Sequence, residues 1–322
     1  MSMRDSYIDT SKAILIFLVV FGHFLERCIG YENEASNVLI KTIYFVHMPA
    51  FIFISGMFFK GTDLVKKIVY FLSLLIPFQI AYVAFESIIS QSFSLGWLVK
   101  PYWILWYLVG MIVWTILTPL LKKTEFPVLI SVFLSILVGF SPVDNYLFSI
   151  GRIFTFLPFF VVGSLYGKQI VNAVKSKKVY ALIGFLALIS IGLISKYGNI
   201  ESGWLYGSLS YKQLGADYLT GSLTRLTVFT ISFAGIVAIL AVIQLFKDKF
   251  VDLGQHTLPV YLLHGFVVII LAHFFKFHDD FTIGLIVSFA LTIVTCILLK
   301  LDIFEKMIKF ISNVQVKLYE KM

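Results

Sequence analysis

Residues 12–24 read KAILIFLVVFGHF: a lysine, ten apolar or small residues, a histidine and a phenylalanine. Extended to 9–30, the run is long enough to cross a bilayer, which takes about 20 residues of helix. Ionisable groups in such a helix are costly and face a protein interior or a water-filled cavity. Lys12 and His23 are 11 positions apart, about three turns and roughly 16 Å of rise with only about 20° of rotation, so they share one face. Asp9, three residues before Lys12, joins that face, and Glu26 and Arg27 extend it outward. The spacing predicts a polar stripe turned toward the bundle interior. It permits two readings: a reaction path through the membrane, or a lysine snorkelling to headgroups with a histidine bonded to a neighbouring carbonyl.

The rest of the chain fits this first helix. Of 322 residues, 59% are hydrophobic and 14% charged, against about 25% charged in a soluble domain. The composition predicts a polytopic membrane protein built as one bundle. The net charge of +8 lies in short lysine clusters between apolar runs, which points to membrane topology rather than nucleic acid. The first run is too long for a signal peptide, carries His23, Glu26 and Arg27, and lacks a small-x-small cleavage site. Cys28 and Cys296 fall at different depths and predict no disulfide, and no metal-binding spacing occurs.

Apolar runs predict about ten transmembrane helices, near 9–30, 42–59, 66–90, 101–121, 126–140, 152–168, 179–195, 217–246, 256–275 and 281–301. The 126–140 run is short and the 217–246 run long. None shows the alternation of barrel strands, so the fold class is all-α. With both termini cytoplasmic, 18 of the 26 basic residues fall on the cytoplasmic side, from Arg4 and Lys12 to Lys317 and Lys321, as the positive-inside rule requires. Residues 1–301 form the transmembrane domain and 302–322 a cytoplasmic tail. In the tail Phe304, Met307, Ile308, Ile311 and Leu318 keep helical spacing among lysines, the pattern of a helix lying on anionic lipid. In the outer loop 195–218, Trp204, Tyr206 and Tyr211 suit an interfacial aromatic belt or stacking on a sugar.

The stretch YIDTSKAILIFLVVFGH, 7–23, resembles the first helix of the acyltransferase 3 family of integral-membrane O-acyltransferases, in which a basic residue precedes a histidine by ten intervening residues. FVHMPAFIFISGMFFK (45–60) resembles the family's second helix, near the fucose 4-O-acetylase-like branch. WILWYLVGMIVW (103–114), GRIFTFLPFFVVGSLYG (151–167) and LGQHTLPVYLLHGF (253–266) resemble later segments in the family's order. The resemblance implies transfer of an acetyl group from cytoplasmic acetyl-CoA, a co-substrate with no bound cofactor, to a hydroxyl of a cell-surface or lipid-linked glycan. It implies a multi-pass protein of the cell membrane. No esterase-like domain is recognised, so acceptor chemistry falls to the bundle.

On this reading His23 is the catalytic base, and burial favours its neutral, proton-accepting form. His47 is expected at the outer start of the second span, to orient the acceptor or stabilise the oxyanion. Asp9, Lys12, Trp106 and Tyr107 are expected on the donor path. Arg152, at the outer start of the sixth span, Tyr261 and His264 are expected to line the acceptor cavity. His264 also suits a plain helix–helix hydrogen bond. Glu86 and Arg225 are expected near the outer ends of the third and eighth spans, as a pair or as lining. Transfer is expected to be direct, with an acyl-histidine as the other route. The competing reading is a transporter or flippase with a proton relay, which predicts inverted repeats. No internal symmetry is evident, although Pro77, Pro158 and Pro259 interrupt or begin helices.

Overall fold

The structure, a computed structural model, describes residues 5–278 and 280–319, with side chains to residue 313. Arg4, Lys321 and the last residues of the expected tail lie outside the described residues, as do the side chains of Lys317 and Leu318.

All described elements are helical: α1 (Ser6–Cys28), α2 (Glu34–Met57), α3 (Leu64–Ser90), α4 (Trp106–Leu121), α5 (Pro127–Leu137), α6 (Ile150–Lys175), α7 (Val179–Tyr197), α8 (Ser202–Tyr206), α9 (Tyr218–Ile243), α10 (Val251–Gln255), α11 (Thr257–Phe274), α12 (Phe281–Leu299) and α13 (Asp302–Tyr319). Among the described residues nine helical segments are long and apolar enough to cross a membrane. The expected fifth span is the exception. Its α-helix has 11 residues followed by 3 of 3-10 helix, about 21 Å at 1.5 Å per residue, short of a core of about 30 Å. Pro127 sits in its first turn, where proline is tolerated, and Ser141-Pro142 follow its end.

The chain divides into two compact units. The first holds residues up to Phe53, Tyr166–Leu205 and Val228–Glu305; the second holds Ile54–Leu165, Tyr206–Thr227 and the chain beyond Glu305.

In the first unit α1 packs against α10, α11 and α12 and is the most enclosed of the nine spans. Its start is fixed by sequence: Asp5 caps it, accepting from the Tyr7 N–H at 3.0 Å, a contact worth about 1 kcal/mol. The fully buried Tyr7 donates its hydroxyl to the Leu240 carbonyl at 2.6 Å. Phe17 and Phe21 meet Phe289 of α12 edge-on at 5.4 and 5.8 Å, worth about 0.5–1.5 kcal/mol per pair beyond burial. Gly254 of α10 lies so close that a Cβ would fall on the Asp9 carbonyl.

In the second unit Trp114 is fully buried and donates its indole N–H to the Ile153 carbonyl at 2.9 Å. Tyr211 takes neither expected role: it is fully buried, donates to the Ile136 carbonyl at 3.0 Å, and has the Arg225 guanidinium 5.9 Å from its ring. Trp204, in the first unit, is also buried. A belt or an open sugar platform needs exposed rings. Glu86 accepts from the Tyr102 hydroxyl at 2.8 Å.

Candidate active site

The stripe on α1 faces inward as its spacing predicts. At its N-terminal end Asp9 is buried and pairs with Lys12 at 2.7 Å, with the Lys12 side chain about a quarter exposed. The 248–249 turn closes over this end: Thr10 donates to the Lys249 carbonyl at 2.7 Å, and Ser6 bonds Asp248. Lys12 therefore sits in a built ion pair, with its charge balanced from within its own helix.

Three turns on, His23 meets partners from three helices. Its Nδ1 lies 3.3 Å from Glu26 Oε2, one turn away on the same face. The Tyr44 hydroxyl of α2 donates to the same carboxylate oxygen at 2.8 Å and lies 3.4 Å from His23 Nδ1. A carboxylate accepts only. His23 Nδ1–H therefore donates to Glu26, and the His23 lone pair falls on Nε2. Gly22 makes room: an added Cβ would just touch the Tyr44 ring, at 3.4 Å.

The other two histidines complete the cluster. His264 of α11 is fully buried and stacks on His23, with ring centroids 5.5 Å apart and planes 15° apart. Its Nδ1 faces the Val260 and Tyr261 carbonyls at 3.0 and 2.8 Å. Nδ1 thus carries the proton and Nε2 the lone pair, and Nε2 is buried without a hydrogen-bond partner among the described residues. A buried acceptor left so costs about 1–3 kcal/mol, which a ligand donor would recover. His47 is 1% exposed, holds its Nδ1 2.7 Å from the Ile43 carbonyl, and packs edge-on to Tyr44 at 4.8 Å. It does not begin a helix. α2 starts at Glu34, so His47 is mid-helix and Pro49 lies inside the helix. The polar residues Glu34 to Lys41 conceal these first turns from a hydropathy reading.

The C-terminal end of α1 is held by the segment after α11. The Arg27 carbonyl accepts from Lys276 Nζ at 2.7 Å, Cys28 from the Phe277 N–H at 2.7 Å, and Ile29 faces His278 Nδ1 at 2.9 Å. Helix-end carbonyls otherwise lack partners, so these bonds fix the turn that carries His23 and Glu26.

Sequence reading found His23, His47 and His264, and the structure brings them together. Tyr261 packs beside His264, ring to ring at 6.4 Å. Glu26 was legible as part of the stripe, three residues from His23; Tyr44 was not singled out and has no motif to mark it. Asp9 and Lys12 remain a separate pair at the far end of α1. Trp106, Tyr107 and Arg152 belong to the second unit. There Tyr107 shares a 2.7 Å hydrogen bond with Ser55. Arg152 donates to the Trp103 carbonyl at 3.3 Å, with its guanidinium 5.5 Å from the Trp106 ring. Cys28 and Cys296 are free and buried, as expected.

The sequence model of a family described as an acyltransferase domain, acyltransferase 3, matches residues 5–301. The chain belongs to the acyltransferase 3 family. It is a multi-pass membrane acyltransferase. Among curated proteins it is similar to nodulation protein NolL of Sinorhizobium fredii, 26% identical over 292 residues, covering 82% of this chain and 78% of the relative. It is also similar to nodulation protein NolL of Mesorhizobium japonicum, 25% identical over 291 residues, covering 82% and 76%. No solved structure matches it.

Proposed function

We propose that this acyltransferase moves an acetyl group from cytoplasmic acetyl-CoA to a hydroxyl of a cell-surface or lipid-linked glycan, in the cell membrane. The observation that carries the reading is the Glu26–His23 contact: a carboxylate fixing one imidazole nitrogen leaves the other as a base, the arrangement of a general-base dyad. The acceptor hydroxyl gives its proton to His23 Nε2 as its oxygen attacks the thioester carbonyl. The tetrahedral intermediate then collapses, the C–S bond breaks, and the imidazolium returns the proton to the CoA sulfur. Glu26 stabilises the imidazolium formed between these steps. His47 and Tyr44 border the site and orient the acceptor. A second acceptor hydroxyl would satisfy His264 Nε2.

The donor enters past the Asp9–Lys12 pair, where phosphate competes with Asp9 for the ammonium. Both termini are cytoplasmic in this reading, which counts the short Pro127–Phe140 helix as a crossing. Family membership favours acyl transfer over the transporter reading.

The test is labelled acetyl-CoA with membranes carrying the protein and cell glycan. Label is expected on the glycan and is lost with His23→Ala. Solute movement without label transfer refutes the reading; full activity in His23→Ala refutes the assignment of the base. Labelled acyl-enzyme trapped without acceptor would replace direct transfer with an acyl-histidine route.

A further inference from the structure

Away from this site, the corner between α10 and α11 gathers three side chains with metal-ligating atoms. His256 lies at the corner, and Asp302 and Glu305 open α13; one ligand atom from each lies within 4.8 Å of the others. The tautomer of His256 is set by its surroundings. Nδ1 faces the Asp252 carbonyl oxygen at 2.8 Å and the Asp252 carboxylate at 3.4 Å. Both accept, so Nδ1 carries the proton. The lone pair on Nε2 then faces Glu305 Oε2 at 2.9 Å and Asp302 Oδ1 at 3.5 Å. Three possible ligand atoms converge there, and either a proton on Nε2 or a metal ion between them relieves their repulsion.

The spacing fits a metal ion. Tetrahedral ligands at about 2.0–2.2 Å from zinc stand roughly 3.3–3.6 Å from one another, so a small relaxation of the 2.9 Å contact opens the site. Asp252, whose other oxygen is held by Lys300 at 2.5 Å, supports the imidazole from behind, as carboxylates do for metal-bound histidines. The Asp302 side chain is 79% exposed, so water can fill the fourth position. An imidazole with two carboxylates suits zinc-like ions better than magnesium or calcium.

We propose that His256, Asp302 and Glu305 bind a zinc-class dication that pins the start of α13 to the α10–α11 corner. His256 is remote in sequence from Asp302 and Glu305, so no metal-binding spacing marks the site, and the inference is independent of the acyl-transfer reading. Because Gly254 packs directly on the Asp9 backbone, the pinned corner is also the support of the Asp9–Lys12 end of α1.

The test uses the full chain in detergent, freed of affinity tags and stripped with a chelator, then titrated with zinc by calorimetry and with cobalt by visible absorption. One equivalent of zinc, a tetrahedral cobalt spectrum and a raised Tm are expected. His256→Ala and Glu305→Gln should each weaken binding at least tenfold, and the conservative Glu305→Gln keeps the test valid if His256→Ala fails to fold. Absence of zinc binding and of any Tm response would mean that the carboxylates hold only a protonated imidazole, and would overturn the proposal. So would zinc binding unchanged in Glu305→Gln, which would place the ion elsewhere.

Discussion

Glu26→Gln probes the dyad most directly. The change keeps the shape of the side chain and its carbonyl acceptor while removing the charge. At the observed 3.3 Å, unit charges interact by about 5 kcal/mol at an effective dielectric of 20 and by about 1.3 kcal/mol in water. Both side chains are mostly enclosed, 14% and 23% exposed, so the higher figure is the better guide. With about half a charge developed on the imidazole at the transition state, the carboxylate stabilises it by about 2.5 kcal/mol, or roughly 70-fold in rate. The assay is initial-rate transfer of labelled acetyl from acetyl-CoA in membranes, with expression level controlled. A fall in kcat of about 10–100-fold with little change in donor KM is expected. Wild-type kcat in Glu26→Gln would refute the dyad and leave Glu26 as a structural partner of Tyr44.

Tyr44→Phe removes the 2.8 Å bond to the Glu26 carboxylate. Bonds to charged groups contribute about 1.5–3 kcal/mol, so kcat should drop about tenfold or more, and combination with Glu26→Gln should be less than additive. Gly254→Ala drives a Cβ onto the Asp9 carbonyl and should destabilise the protein by about 1–3 kcal/mol, read as a lowered Tm; Gly61→Ala, with open space around it, should leave Tm unchanged. The Lys100 ammonium, bonded to Asp144 at 2.6 Å, holds that carboxyl below its ordinary value. A depressed folded-state value stabilises above the unfolded one and is lost as pH falls through the folded one. The small advantage of wild type over Asp144→Asn should thus be constant above roughly pH 5 and vanish in stronger acid, measured by denaturation across pH.

The legible parts were those written in short-range pattern. Lys12 and His23 at helical spacing announced a buried stripe, and α1 is buried as that stripe requires. Length and hydropathy found the nine long spans, while 126–140 forms a shorter helix than its apolar run suggests, because such a run does not reveal how many residues become helix. The polar start of α2 hid two helical turns and displaced His47 from mid-helix to a helix end. Tyr44 was illegible for a different reason. It reaches Glu26 from a different helix, a tertiary fact with no local signature. The same holds for Tyr211, whose loop composition resembles that of exposed aromatics while its ring is enclosed.

The three bonds from Lys276, Phe277 and His278 to the end of α1 have a mechanical consequence. They bolt the α11–α12 connection to the residues just beyond Glu26, so the two helices bearing the stacked imidazoles travel as one body at that end. Separating His23 from His264 there would break all three bonds at once. On the opposite flank, Pro49 has no N–H to offer the Phe45 carbonyl, and α2 carries a ready hinge two residues past His47. Flexing of the site is therefore expected in α2, which carries Tyr44 and His47, rather than between the paired rings.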